Sequence, residues 1–198
     1  MQKHIFSEMK YIEILGKFQE KKIKYFSLQD FQQITDLSYD AARAILQRYK
    51  KKNLVLNPKK GYYFFKDYSP SVYELANKLY SPSYISMETV LSKNGVIPET
   101  IYPIISITPK PTRNFICQKR EYHYHKIKQK AFIGYYKKEN YLIAEIEKAI
   151  ADYLYFVALG QKKINSRINL KRINKKKLIR YGKTFKSKKL LELIKRHA

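Results

Sequence analysis

A chain of 198 residues with 41 Lys and Arg against 16 Asp and Glu carries a formal net charge of +25. Such an excess draws polyanions, because each phosphate met by a cation releases condensed counterions. Hydrophobic residues at 44% with few Gly and Pro suffice for packed cores and argue against a disordered or fibrous chain. No apolar run reaches the ~18–20 residues of a membrane span, the N-terminal MQKHIFSEMK lacks a signal-peptide stretch, and the single cysteine, Cys117, makes no internal disulfide. A cytoplasmic protein is expected, with Cys117 as core. Residues 1–66 hold 14 basic and 6 acidic side chains, residues 67–160 hold 12 and 9, and residues 161–198 hold 15 and 1. The ends are basic and the middle is nearly balanced. Lysine-rich composition also arises from an AT-rich genome without selection for binding, so the pattern around the lysines has to decide.

Along residues 8–18 apolar side chains recur at Met9, Ile12, Ile14, Leu15 and Phe18, the spacing of a helix with one buried face. Ser27 is a good N-cap, and Asp30 three residues on completes a weak capping box for a short helix over 28–35. Thr35-Asp36-Leu37 breaks the pattern. Ser38 then caps a helix over 39–51 whose apolar face is Ala42, Ile45, Leu46 and Tyr49. Residues 54–56 and 62–65 read as two strands around Asn57-Pro58-Lys59-Lys60-Gly61. Three helices and a hairpin make a winged helix-turn-helix over residues 1–66. With that core face, the third helix turns Tyr39, Asp40, Arg43, Gln47, Arg48 and Lys50 outward. Arg43 and Gln47, four apart, could reach guanine and adenine edges in a major groove, while Ser38 and Tyr39 would touch phosphate or sugar. Lys59 and Lys60 at the hairpin tip would grip the backbone and read no sequence. Small helical domains of this kind also serve as protein contact modules.

A second domain is expected over 70–198, opening with Ser69 as N-cap and Pro70 at the first helical position before Val72, Leu75, Ala76 and Leu79. A short helix ends at Asn94-Gly95, where Gly95 suits the left-handed position after the C-cap. Residues 101–108, 114–117, 121–127 and 132–136 read as short strands of a small antiparallel sheet. Over 143–159 helical spacing returns, with Ile146, Ala149, Ile150, Tyr153, Leu154 and Val157 forming a stripe to pack on that sheet. From residue 161 two basic amphipathic helices follow, around 175–181 and, capped by Ser187, 188–195. The fold class is α+β.

Enzyme constellations are missing. There is no phosphate-binding glycine loop, nucleotide fingerprint or Cys-x-x-Cys pair. His123 and His125 share one strand face without an evident third metal ligand, so they read as packed or surface histidines. Ile146 stands where a nuclease would need a carboxylate two before Lys148. No enzyme activity, cofactor or metal is expected.

Several blocks follow one another in this chain: Pro82-Ser83-Tyr84-Ile85-Ser86-Met87-Glu88-Thr89-Val90-Leu91; Gly95-Val96-Ile97-Pro98-Glu99; Ser106-Ile107-Thr108 with Lys110 and Arg113; Phe132-Ile133-Gly134; and Ile143-Ala144 before Glu147-Lys148-Ala149-Ile150-Ala151-Asp152-Tyr153-Leu154-Tyr155. In order and spacing, behind a winged helix, they resemble the AbiEi antitoxins over nearly the whole chain. The family usually has a proline where this chain has Ile146, a departure expected to extend the helix towards Ala144.

The resemblance implies a type IV antitoxin of an abortive-infection phage-defence system, monomeric in solution, with cooperative binding on DNA open. Its winged helix would repress its own operon at inverted repeats, and its C-terminal domain would counter a nucleotidyltransferase-like toxin without requiring a stable complex. Residues 38–50 would fill the recognition-helix role. Lys110, Arg113, Glu147, Lys148 and Asp152 would be the shared polar positions of the C-terminal domain, with a capping or surface ion-pair role for Glu147 and Asp152. A stand-alone repressor with a ligand-sensing C-terminal domain, and an RNA-binding protein, remain the rival readings.

Overall fold

Tyr and Phe, with Ile, Leu, Val and Ala between them, supply the core of residues 1–71, one of two units into which the chain divides, the other being 72–198. The computed structural model describes residues 2–171 and 173–197, with side chains described from Lys10 onward. Among the described residues there are eight α-helices and two sheets, an α+β architecture.

In the first unit, α1 (Gln2–Glu20) precedes β1 (Phe26–Ser27), α2 (Leu28–Thr35), α3 (Tyr39–Lys51), β2 (Val55–Lys59) and β3 (Tyr62–Phe65). The strands form an antiparallel sheet in the order β1-β3-β2. Helix α1 is longer than the 8–18 expected, and it buries Tyr11, Ile14 and Phe18 while Ile12 is 66% exposed. A tyrosine took the core position that an apolar count gave to isoleucine, because a ring can be buried when its hydroxyl finds an acceptor. The Tyr11 hydroxyl donates to Asp67 Oδ2 at 3.0 Å. Met9 lies outside the described side chains.

Phe18 is fully buried, with ring centroids of Phe26 at 4.5 Å, Phe65 at 5.1 Å and Phe31 at 5.8 Å. Each ring comes from a different element, so the cluster ties α1 to β1, β3 and α2. Helix α2 starts on a complete capping box: Asp30 N–H donates to Ser27 Oγ at 3.2 Å and Ser27 N–H to Asp30 Oδ2 at 2.7 Å. It stops at Asp36, whose left-handed φ of 56° lets its N–H donate to the Gln32 carbonyl at 2.8 Å. Helix α3 begins three residues on. Strand β2 runs past the expected 54–56 through Pro58, which a register shift between Leu56 and Lys59 accommodates.

The second unit opens with α4 (Val72–Leu79), two residues later than Pro70. Then come β4 (Tyr84–Ile85), α5 (Met87–Lys93), β5 (Ile104–Thr108), β6 (Arg113–Cys117), β7 (Arg120–Lys126), β8 (Tyr135–Lys138), β9 (Tyr141–Ala144), α6 (Ile146–Ala158), α7 (Lys175–Lys183) and α8 (Lys188–His197). The six strands lie in the order β6-β7-β5-β4-β9-β8. This sheet is mixed and not antiparallel as expected: β5 runs parallel to β7, and β4 parallel to β9. Alternation along a strand marks its faces and says nothing of its partner. Ile143 and Ala144 belong to β9 and not to a helix, so α6 starts at Ile146. Helix α6 is buried on nearly every side, Glu147, Lys148 and Asp152 included. Gly95 takes φ 66° after α5, as its position implied. No helix among the described residues is long and apolar enough to cross a membrane.

Because the first unit's core converges on one ring, Phe18→Ala should lower its stability by roughly 3–5 kcal/mol. Urea unfolding of the purified variant measures this, and a loss below about 1 kcal/mol would remove Phe18 from its central place.

Candidate nucleic-acid interface

The face of α3 that meets solvent follows from what its other face must bury. Ala42, Ile45, Leu46 and Tyr49 are all buried. Ser38, Tyr39, Asp40, Arg43, Gln47, Arg48 and Lys50 are all exposed. At about one turn per step, Tyr39, Arg43, Gln47 and Lys50 follow one side of the helix, and Asp40, Ala44, Arg48 and Lys51 the neighbouring side. The Ser38 hydroxyl accepts from Ala41 N–H at 3.4 Å, so it caps the helix as well as facing out. Lys51, which no outward-face expectation included, is also exposed and extends the basic end.

The hairpin tip is held from within. Asn57 Nδ2 donates to the carbonyls of Lys59 at 2.8 Å and Tyr62 at 2.6 Å. Gly61 supplies the turn with φ 82°. Tyr62 stacks on Tyr25 with centroids 5.3 Å apart and planes 9° from parallel, and Lys59 Nζ lies 5.9 Å from the Tyr62 centroid. Lys59 and Lys60 are exposed on this braced tip. Asn57 stands in a turn sequence, but its bracing role rests on the carbonyls it reaches across the hairpin, which periodicity does not carry.

Of the five polar positions singled out in the second unit, the structure brings together two pairs. Lys110 and Arg113 each lie 5.6 Å from the Tyr80 ring centroid. Lys148 Nζ pairs with Asp152 Oδ1, one helical turn away, and both side chains are wholly buried. The surface ion pair expected here is therefore a core one. Asp152 Oδ2 accepts from Ser86 Oγ at 2.7 Å and from the Tyr84 hydroxyl at 3.0 Å. The Lys148 ammonium sits 4.6 Å from the Phe185 centroid and 5.6 Å from that of Tyr84. Burial pulls the Lys148 ammonium below its ordinary range and pushes the Asp152 carboxyl up, each opposed by the partner's charge. Burial, then the Asp152 charge, raises the Tyr84 phenol well above its ordinary value and keeps it a donor. Glu147 points elsewhere, accepting from Asn174 N–H at 3.4 Å and facing Lys177 Nζ at 3.6 Å.

His123 and His125 do not act alike. His123 Nε2 lies 2.8 Å from Glu121 Oε2, whereas His125 packs against Phe156 at 5.1 Å between centroids. Burial, then the nearby Lys162 charge, lowers His125 to about 4. No group of three His, Cys, Asp or Glu is placed to hold a metal among the described residues. Cys117 is buried, and its thiol is pushed up by burial. In the C-terminal segment, α7 and α8 bury Leu178, Tyr181, Leu190 and Ile194. Among the described residues from 171 to 197, ten Lys and Arg are exposed against one exposed carboxylate, Glu192.

Neither the models of known protein families nor the curated proteins match this sequence.

Removing one member of the buried pair should be costly: Lys148→Met leaves an unpaired buried carboxylate and should destabilise the second unit by about 3–5 kcal/mol. Adding Asp152→Asn, which removes the charge and still accepts from Ser86 and Tyr84, should recover part of that loss in urea titrations. Strictly additive losses would show that the two charges do not depend on each other. His125 sets a pH dependence. Its folded value is depressed, so between about 6.5 and about 4 the unfolded state binds the extra proton. Stability is full above this window and falls as pH drops through it. His125→Gln should flatten the unfolding midpoint across that range, and an unchanged pH profile would remove His125 as its source.

Proposed function

We propose that this chain is a DNA-binding transcriptional regulator, with residues 1–71 acting as a winged helix-turn-helix. The observation that carries the reading is the outer face of α3, polar and basic, set three residues after α2 and paired with a lysine-tipped hairpin whose conformation Asn57 fixes. A helix of this kind inserts its N-terminal half into the major groove. Arg43 and Gln47 are the base readers, because both carry two polar atoms in a fork that matches a purine edge. Ser38, Tyr39, Arg48, Lys50, Lys59 and Lys60 serve phosphate and sugar, and give affinity and register in place of sequence choice.

The resemblance to the AbiEi antitoxins adds the biological setting. On that reading the protein represses its own operon at inverted repeats and counters a neighbouring nucleotidyltransferase-like toxin through residues 72–198. Such a role needs no cofactor and no catalytic group.

Arg43→Ala and Gln47→Ala should each weaken binding to the operator by about 1–3 kcal/mol per lost base contact and leave affinity for unrelated duplex largely intact. Equal loss on all sequences in a fluorescence-anisotropy titration would sink base reading. Lys59→Gln with Lys60→Gln should instead weaken all duplexes alike and reduce the salt slope by about 2. An unchanged slope would take the hairpin out of the interface.

A further inference from the structure

Between β5 and β6 the chain reads Pro109-Lys110-Pro111-Thr112, with Arg113 opening β6, and this short connection is pinned at every residue but the first. The Tyr80 hydroxyl donates to the Pro111 carbonyl at 3.1 Å, and Lys110 N–H to Thr108 Oγ1 at 3.2 Å. Thr108 Oγ1 in turn donates to the Pro82 carbonyl at 2.7 Å, and Lys126 N–H donates to Thr112 Oγ1 at 3.1 Å. Two prolines restrict the remaining backbone freedom.

This rigid loop holds like charges together. Lys110 and Arg113 each approach the ring of Tyr80, and Lys110 Nζ donates to the Ser81 carbonyl. Arg113 pairs in register with Tyr124 on β7, and Lys126, two residues beyond Tyr124, lies on the same face of that strand. All three cations are exposed, and none pairs with a carboxylate among the described residues. Convergent positive charges without a counterion repel one another, and a preorganised frame that holds them in place fits an anion at little ordering cost. An Arg fork beside two Lys point charges matches a multiply charged tetrahedral group better than a single carboxylate.

We propose that Lys110 and Arg113, each against the Tyr80 ring, form a phosphate-binding site together with Lys126 on the neighbouring strand β7. Its ligand is a phosphate group carried by a free nucleotide or by a nucleic-acid strand. The site is built from residues of the second unit alone, and its test stands or falls independently of the DNA-reading role.

Isothermal titration of the full chain at near-physiological salt, with pyrophosphate, ATP and a single-stranded oligothymidine as probes, tests it. The comparison is Lys110→Gln/Arg113→Gln against Lys137→Gln/Lys138→Gln, an equal charge loss at the exposed edge strand β8. At least one probe should bind the first variant about tenfold more weakly than wild type, with the control within about twofold. If that probe is ATP or pyrophosphate the phosphate comes from a free nucleotide; if it is the oligonucleotide alone, the ligand is a strand. No binding of any probe to wild type, or equal weakening by both variants, overturns the site.

Discussion

The aromatic cluster around Phe18 decides which side chains of α3 meet solvent. Tyr11 places its ring 5.3 Å from Tyr49 of α3 and 5.8 Å from Phe65, and Phe65 contacts Phe18. Tyr49, with Ala42, Ile45 and Leu46, is therefore committed inward, and the helical repeat leaves Arg43 and Gln47 no position except the outside. A shift of α3 by one residue would bury an arginine and expose a tyrosine. The rotational setting of the candidate reading face is thus a consequence of core packing, and substitutions in that core should disturb the proposed DNA binding without touching a contact residue.

The second unit is organised around a different constraint, a charged pair with no access to water. An ammonium and a carboxylate in the core are tolerable when the remaining hydrogen-bonding capacity is filled, and Ser86, Tyr84 and two aromatic faces do this for Lys148 and Asp152. The donors come from the segment around β4 and the pair from α6, so the network fixes how that helix lies on the sheet. Gly134 belongs to the same region: at φ 75°, with the Tyr181 ring 2.5 Å from where a Cβ would stand and Lys148 Cγ at 3.0 Å, it admits no side chain. The polar positions within this block read more naturally as architecture than as chemistry, whereas Lys110 and Arg113, exposed and unpaired with any carboxylate among the described residues, do not.

Local signals in the sequence were legible where a short-range rule decides the outcome. The capping box of Ser27 and Asp30, the bounds of α2 and α3, the buried face of α3 and the strand at Tyr62–Phe65 all follow from caps, breaks and periods spanning a few residues. What escaped depends on distant partners. Strands β1 and β4 are two residues long and exist only because β3, β5 and β9 align them. The parallel pairings of the larger sheet have no local signature, and Ile143 and Ala144 carry the same residues a helix would. On α6 the hidden quantity is burial: Lys148 and Asp152 look like surface charges until their partners on β4 and beyond are placed. The exposed face of α3 was thus readable from the chain, while the bracing of the hairpin by Asn57 and the pinned loop at Lys110 were not.

Whether the basic charge is guided by α3 or acts as an undirected polyanion trap is tested most directly by a gel-shift titration against the upstream region of the protein's own gene. Scrambled duplex and structured RNA serve as competitors at near-physiological salt. Selective binding to repeated sites in that region, undisplaced by either competitor at matched phosphate concentration, is the predicted result. Displacement by structured RNA or scrambled duplex as readily as by the upstream DNA would contradict it, and would leave the net charge, not the helix, as the determinant of binding.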